Sequence, residues 1–196
     1  MNKSESKYFN TALLMDEALL VLLERKEYEF ITVKEICQKA GVNRSTFYLH
    51  YESMDDLLQE TIETLNKRFY EYFNQKKVED IVQSTDKSDL FLITPEYLKP
   101  YLTFIEQNKR AYSLFYSKPK LFGTEKTFNK MYQAIFQPIL RKYGVAEEDM
   151  TYVFSYYSGG VIAVVKNWVK QNFDKPVDDV IRIITSVIPH QLAPKQ

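Results

Sequence analysis

Residues 31–58 read ITVKEICQKAGVNRSTFYLHYESMDDLL, and the punctuation of this stretch decides the fold. Thr32 and Glu35 stand three apart at the head of an apolar-periodic run. That is the spacing of a capping box, in which hydroxyl and carboxylate satisfy two orphan amides. The helix they open carries Val33, Ile36, Cys37 and Ala40 on one face. Gly41 stops it, because glycine enters the left-handed conformation at a helix end without steric cost. Asn43 is then a good N-cap for a second short helix from Arg44 to His50, with Val42 packing beneath the turn. Two short helices joined by a Gly-containing turn form a helix-turn-helix.

Working outward, Leu14, Ala18 and Leu22, with Leu19 and Leu23, predict a first helix from about Asn10 to Lys26. Tyr28-Glu29-Phe30-Ile31 is the connection. Downstream, Ser53 opens a long helix to roughly Asn74, with Asp55 and Asp56 in the first turn where the helix dipole favours negative charge. Gln75–Lys87 is polar, with Ser84-Thr85-Asp86 as a loop. Thr94-Pro95-Glu96 starts a helix to about Gln107. A shorter one over Lys109–Ser117 is broken by Lys118-Pro119-Lys120. Thr124–Tyr143 is long, ends at Gly144, and should kink near Phe136–Gln137 because Pro138 lies inside it. Glu147 to about Asn172 is strongly apolar. Its Gly159-Gly160 pair costs about 1 kcal/mol per glycine relative to alanine, which points to another backbone coming close. Asp174-Lys175-Pro176 opens the last helix, ending near Ile188-Pro189. The expectation is an all-α chain of about nine helices. A three-helix helix-turn-helix domain fills 1–52, a linking helix 53–75, and a helical domain 76–196.

Composition narrows the function. The chain has 196 residues, few glycines (5) and prolines (7), and 15 Tyr and 13 Phe beside one Trp. Rings fill space between helices, and they also line cavities for organic ligands. Net charge is zero, and residues 1–51 balance seven Lys/Arg against seven Asp/Glu, so the basic footprint of many nucleic-acid binders is missing. A dimer can still present a few placed cations and helix N-termini to phosphates. The lone Cys37 excludes an intramolecular disulfide, and no cysteine cluster suits zinc. The polar start MNKSESKYFN lacks a signal-peptide core and no run is long enough to span a bilayer, so the cytoplasm is expected by elimination. The two histidines, His50 and His190, lie far apart. No nucleophile–base set or phosphate loop stands out, so neither an enzyme nor a cofactor or metal is expected.

Thr32, Ile36, Ala40, Gly41-Val42, Thr46, Phe47-Tyr48, His50-Tyr51 and Leu57, in this order and spacing, resemble the DNA-binding domain of the TetR/AcrR family of transcriptional regulators. The resemblance is strong over residues 10–60 and fades beyond. It implies that the second short helix is the recognition helix, whose first turn, Arg44, Ser45 and Thr46 behind Asn43, meets base edges. Arg44 can pair with guanine O6/N7 or hold a phosphate. Tyr48 and His50 can reach flanking phosphates, as can Thr32, Lys34 and the Ser53 hydroxyl. Phe47 and Tyr51 are expected in the core. The family usually carries lysine where this chain has Met54, which removes one phosphate clamp.

The same resemblance implies ligand binding and dimerisation in the C-terminal half, ligand occupancy changing the spacing of two DNA-binding heads. Phe154–Gly160 leading to Asn167-Trp168 is similar to the penultimate helix of one branch of the family. The expected dimer seam is Tyr156, Gly159, Gly160, Ala163, Val164, Asn167, Trp168, Ile181, Ile184 and Ile188. Candidate pocket residues are Tyr97, Tyr101, Phe104, Tyr112, Phe115, Phe128, Tyr132 and Tyr156, rings that also serve as core. The expected function is a ligand-responsive regulator, a repressor binding palindromic double-stranded operator DNA as a homodimer and released by a small-molecule effector, with no membrane partner. The alternative is a TetR-like coactivator working through protein contacts with weak DNA affinity.

Overall fold

The structure, a computed structural model, describes residues 3–73 and 94–187. Gln75–Lys87, with its loop, and the end of the last helix at Ile188-Pro189 lie outside the described residues. Nine helices, one interrupted by a π turn, and no strand make up the described chain. It forms two compact units, Met1–Lys67 and Arg68–Gln196, divided within the fourth helix.

In the first unit α1 (Lys3–Leu23) begins earlier and stops sooner than its apolar stripe predicts. The polar start is helical as well, because helix formation needs propensity and not only an apolar face. A single 3₁₀ turn (Tyr28–Phe30) leads to α2 (Val33–Ala40), α3 (Arg44–His50) and α4 (Met54–Phe73). Met15, Leu19 and Leu23 of α1, Ile36 of α2, Phe47 of α3 and Leu57 of α4 are fully buried, with Cys37 and Tyr51 nearly so. Burial also pushes the Cys37 thiol pKa up, which suits an inert core residue. One buried carboxylate, Asp16, accepts a 2.9 Å hydrogen bond from the Thr61 hydroxyl. This partner is what makes a polar group tolerable there.

The second unit is built on α5 (Pro95–Gln107), α6 (Lys109–Ser117), α7, α8 (Met150–Lys170) and α9 (Val177–Val187). Helix α7 runs as Thr124–Met131, a π turn over Tyr132–Phe136, and Gln137–Lys142. The expected kink is therefore a π turn just ahead of Pro138. Proline has no N–H to give and its ring crowds the preceding turn, so widening that turn relieves both. Leu98, Leu102 and Ile105 of α5 pack with Val165, Trp168 and Val169 of α8 and Val180, Ile181 and Ile184 of α9. The link between α8 and α9 holds Asn172 and Phe173 at φ 55° and 59°. Asparagine accepts the left-handed region readily and phenylalanine does not. The Phe173 ring is held by Trp168, 4.9 Å away edge-on, and by the Lys109 ammonium 4.9 Å above its centre. The Trp168 indole N–H donates to the Lys175 carbonyl at 2.9 Å, closing the link.

Candidate nucleic-acid interface

The helix-turn-helix is locked by local chemistry. Thr32 accepts from the Glu35 amide at 3.3 Å, while its own amide and hydroxyl donate to the Glu35 carboxylate at 3.1 and 3.0 Å. Lys26 pairs with the same carboxylate. Lys26, ahead of Thr32, together with the cap hydrogen bonds holds the Glu35 carboxyl below its ordinary pKa. Gly41 sits at φ 70°, the left-handed stop expected of it.

Asn43 caps α3 more fully than its position alone suggested. Its Oδ1 accepts from the Thr46 amide at 2.7 Å, the Ser45 hydroxyl at 2.6 Å and the Thr46 hydroxyl at 2.9 Å. Phe47 is buried and meets the Tyr48 ring edge-on at 5.4 Å, while Tyr48 itself is exposed. Arg44, Ser45, Tyr48 and Leu49 are the exposed residues of α3. Arg44 and Lys34 are exposed and have no ion-pair partner among the described residues, which leaves both charges for a polyanion. His50 is half-buried. Its ring stacks on Tyr8 of α1 at 3.8 Å, and its Nδ1 is buried without a hydrogen-bond partner. Burial lowers its pKa, against a smaller pull upward from Glu60. Tyr8, from a part of α1 outside the predicted helix, is a contact that the motif spacing gave no means of finding.

At the start of α4 the geometry competes with a phosphate. The Ser53 amide donates to Asp56 at 2.9 Å and the Ser53 hydroxyl accepts from the Asp56 amide at 3.2 Å. Asp55 accepts a 2.6 Å hydrogen bond from the Tyr28 hydroxyl. The Asp56 carboxylate thus takes the Ser53 amide that a phosphate at this helix start would use.

In the second unit the candidate pocket rings separate. Phe69 of α4 stacks edge-on with Tyr101 and Phe104, at 5.8 and 5.7 Å. Contacts continue through Phe104–Tyr112, Tyr112–Phe115 and Phe115–Phe128. Tyr116 joins the same network, packing on Tyr112 and Phe115. It lies one turn beyond Tyr112, a spacing that could have marked it. The Tyr116 hydroxyl is hydrogen-bonded to that of Tyr101, and burial raises the pKa of both, as it does for Tyr112. Tyr132 belongs elsewhere, 4.8 Å from Phe154. Tyr156 is 68% exposed, so it does not line an interior cavity with the others. The Tyr97 side chain lies outside those described.

The seam candidates also divide. Trp168, Ile181 and Ile184 are at most 5% exposed and belong to the chain's own core, so they offer no surface to a second molecule. They are apolar because α5 packs on them, which a stripe on one helix cannot distinguish from an interface. Val164 is partly buried against that core, and Ile188 lies outside the described residues. Tyr156, Gly159, Gly160, Ala163 and Asn167 are exposed along one side of α8, with Tyr152 a turn before them. A Cβ added at Gly159 or Gly160 would meet nothing within 4 Å, so the close backbone expected there is not found among the described residues.

Among the described residues no helix is long and apolar enough to cross a membrane, and no group of three or more potential metal ligands comes together. Residues 17–61 match the family profile described as bacterial regulatory proteins, tetR family, and residues 94–190 that described as transcriptional regulator C-terminal region. The chain is 26% identical over 125 residues to the uncharacterized HTH-type transcriptional regulator YxbF of Bacillus subtilis (strain 168). That alignment takes in 62% of this chain but 28% of YxbF, so the chain spans under a third of that relative's length. Its fold is similar to a Clostridium perfringens chain described as a fatty acid metabolism regulator, at TM-score 0.66 and 19% identity, covering 88% of this chain and 94% of that one. A weaker likeness, TM-score 0.47 and 16% identity over 90% of this chain and 94% of the other, is to the dihydroxyacetone kinase operon activator DhaS.

Proposed function

Because the chain belongs to the TetR family of transcriptional regulators, we propose that it binds a palindromic operator in double-stranded DNA as a homodimer, represses from it, and leaves it when a small molecule enters its C-terminal unit. The observation that carries the reading is the exposed side of α3, on a helix capped at Asn43 and anchored by buried Phe47, with Arg44 lacking an ion-pair partner among the described residues. Rigid presentation of a few side chains to base edges is what direct readout requires. Arg44 and Tyr48 are the principal contacts, with Thr32, Lys34, Asn43, Ser45, Thr46 and His50 as phosphate or supporting groups. Ser53 is the weakest member, since its backbone amide already donates to Asp56.

Dimerisation is proposed through the exposed side of α8. Gly159 and Gly160 are costly in a helix and nothing in the described chain repays the cost, so a partner's backbone is the reason left for them. The effector is proposed to be neutral and largely aromatic. It would be taken up among Tyr101, Phe104, Tyr112, Phe115 and Phe128, where buried phenols supply the polar handle. Regulation without enzymatic activity, in the cytoplasm, completes the reading.

A mobility-shift assay on the chain's own upstream DNA tests it: specific binding lost in Arg44→Ala and Tyr48→Ala is expected. A second reading, a coactivator acting through protein contacts, is favoured by one observation. Asp55 and Asp56 head α4 beside Met54, where a phosphate clamp would need a cation. Absence of specific binding to any duplex would select that reading over the first.

A further inference from the structure

Leu49 is 72% exposed, the most exposed large apolar side chain among the described residues of the first unit. A lone exposed leucine is ordinary on a protein surface. Its position is what sets this one apart. At about 100° per residue, Arg44, Tyr48, Ser45 and Leu49 follow one another round α3 within an arc of about 140°, on the side opposite buried Phe47. Leu49 also sits one turn beyond Ser45, so the two lie in line along the helix. Within this arc the Ser45 hydroxyl is turned back to Asn43, leaving Arg44 and Tyr48 as polar contacts and Leu49 as a wholly apolar one.

Base edges in the major groove present hydrogen-bonding groups and a single apolar feature, the 5-methyl of thymine. Against any other edge a leucine would cover polar atoms without pairing them, which is unfavourable. We infer that Leu49 is a specificity-determining residue whose side chain packs on a thymine methyl group, selecting an A·T pair within each half-site. The inference rests on the operator reading above and adds to it the chemistry of one recognised position.

The test uses the full chain and duplexes that it selects from a random-sequence library. Each thymine of the selected site is then replaced in turn by deoxyuridine, which removes only the methyl. The native chain loses about four-fold in affinity at one position per half-site, the worth of one buried methyl-sized group. Leu49→Ala binds more weakly and is indifferent to uracil there, whereas Leu49→Met keeps the preference. Circular dichroism checks that both variants stay folded. Specific binding with the same uracil profile in Leu49→Ala and the native chain overturns this inference alone. Failure of the native chain to select any duplex removes the operator reading and this one with it.

Discussion

At Arg44 the chain holds a cation on the first turn of a capped helix with no ion-pair partner among the described residues, so its binding energy is available to DNA. A bidentate arginine–guanine pair is worth about 1–3 kcal/mol. Arg44→Ala removes one such pair from each half-site of a dimer and is therefore expected to weaken specific operator binding by roughly thirty-fold or more, read by mobility shift, with the fold unchanged by circular dichroism. His50 makes a different prediction. Burial lowers its pKa below the ordinary imidazole value of 6.5, so the unfolded chain takes up the proton first. Stability is then fully present above that value and declines as pH falls through the folded pKa. The melting temperature of the native chain should begin to drop as pH falls below the ordinary imidazole value, and His50→Gln should flatten that drop. An identical pH profile in the two proteins would rule His50 out as the source. Arg44 was legible as an exposed cation on the first turn from its place behind the cap. The environment of His50 was not, because Tyr8 reaches it from far away in sequence.

Elements α2 and α3 are where sequence and structure agree most closely, because their ends are determined by groups three or four residues apart. Thr32→Ala removes the hydroxyl that accepts the Glu35 amide and should cost about 1 kcal/mol, measured by urea unfolding. Helix α8 shows the opposite case. Its glycine pair predicts a close approach, yet within the described chain the space beside them is open. Gly160→Leu should therefore leave the helical content of the chain intact while converting a dimer to monomers in sedimentation. A dimer unaffected by that leucine would place the seam elsewhere. In α7 the proline announced a distortion, and the π turn just ahead of it is the form that distortion takes.

Across the whole molecule, charge is balanced, so electrostatic attraction to DNA must come from a few placed cations. Met54→Lys, restoring a cation at the head of α4, should steepen the dependence of log affinity on log salt by about one unit per subunit. An unchanged slope between low and moderate salt would mean that Asp55 and Asp56 keep phosphate away from that helix start. By itself the sequence determined the helix-turn-helix, its caps and stop, and the all-helical order of the chain, because each follows from short-range hydrogen bonding and apolar period. Only the tertiary structure decided which apolar faces are consumed inside the chain. Trp168, Ile181 and Ile184 go to the core of the second unit, while Tyr156 and the two glycines are left at the surface. It also gathered Phe69, Tyr101, Tyr112 and Tyr116 into one aromatic network. Burial is a property of neighbours brought together from distant segments, and a periodic stripe states only that something will cover it, not what.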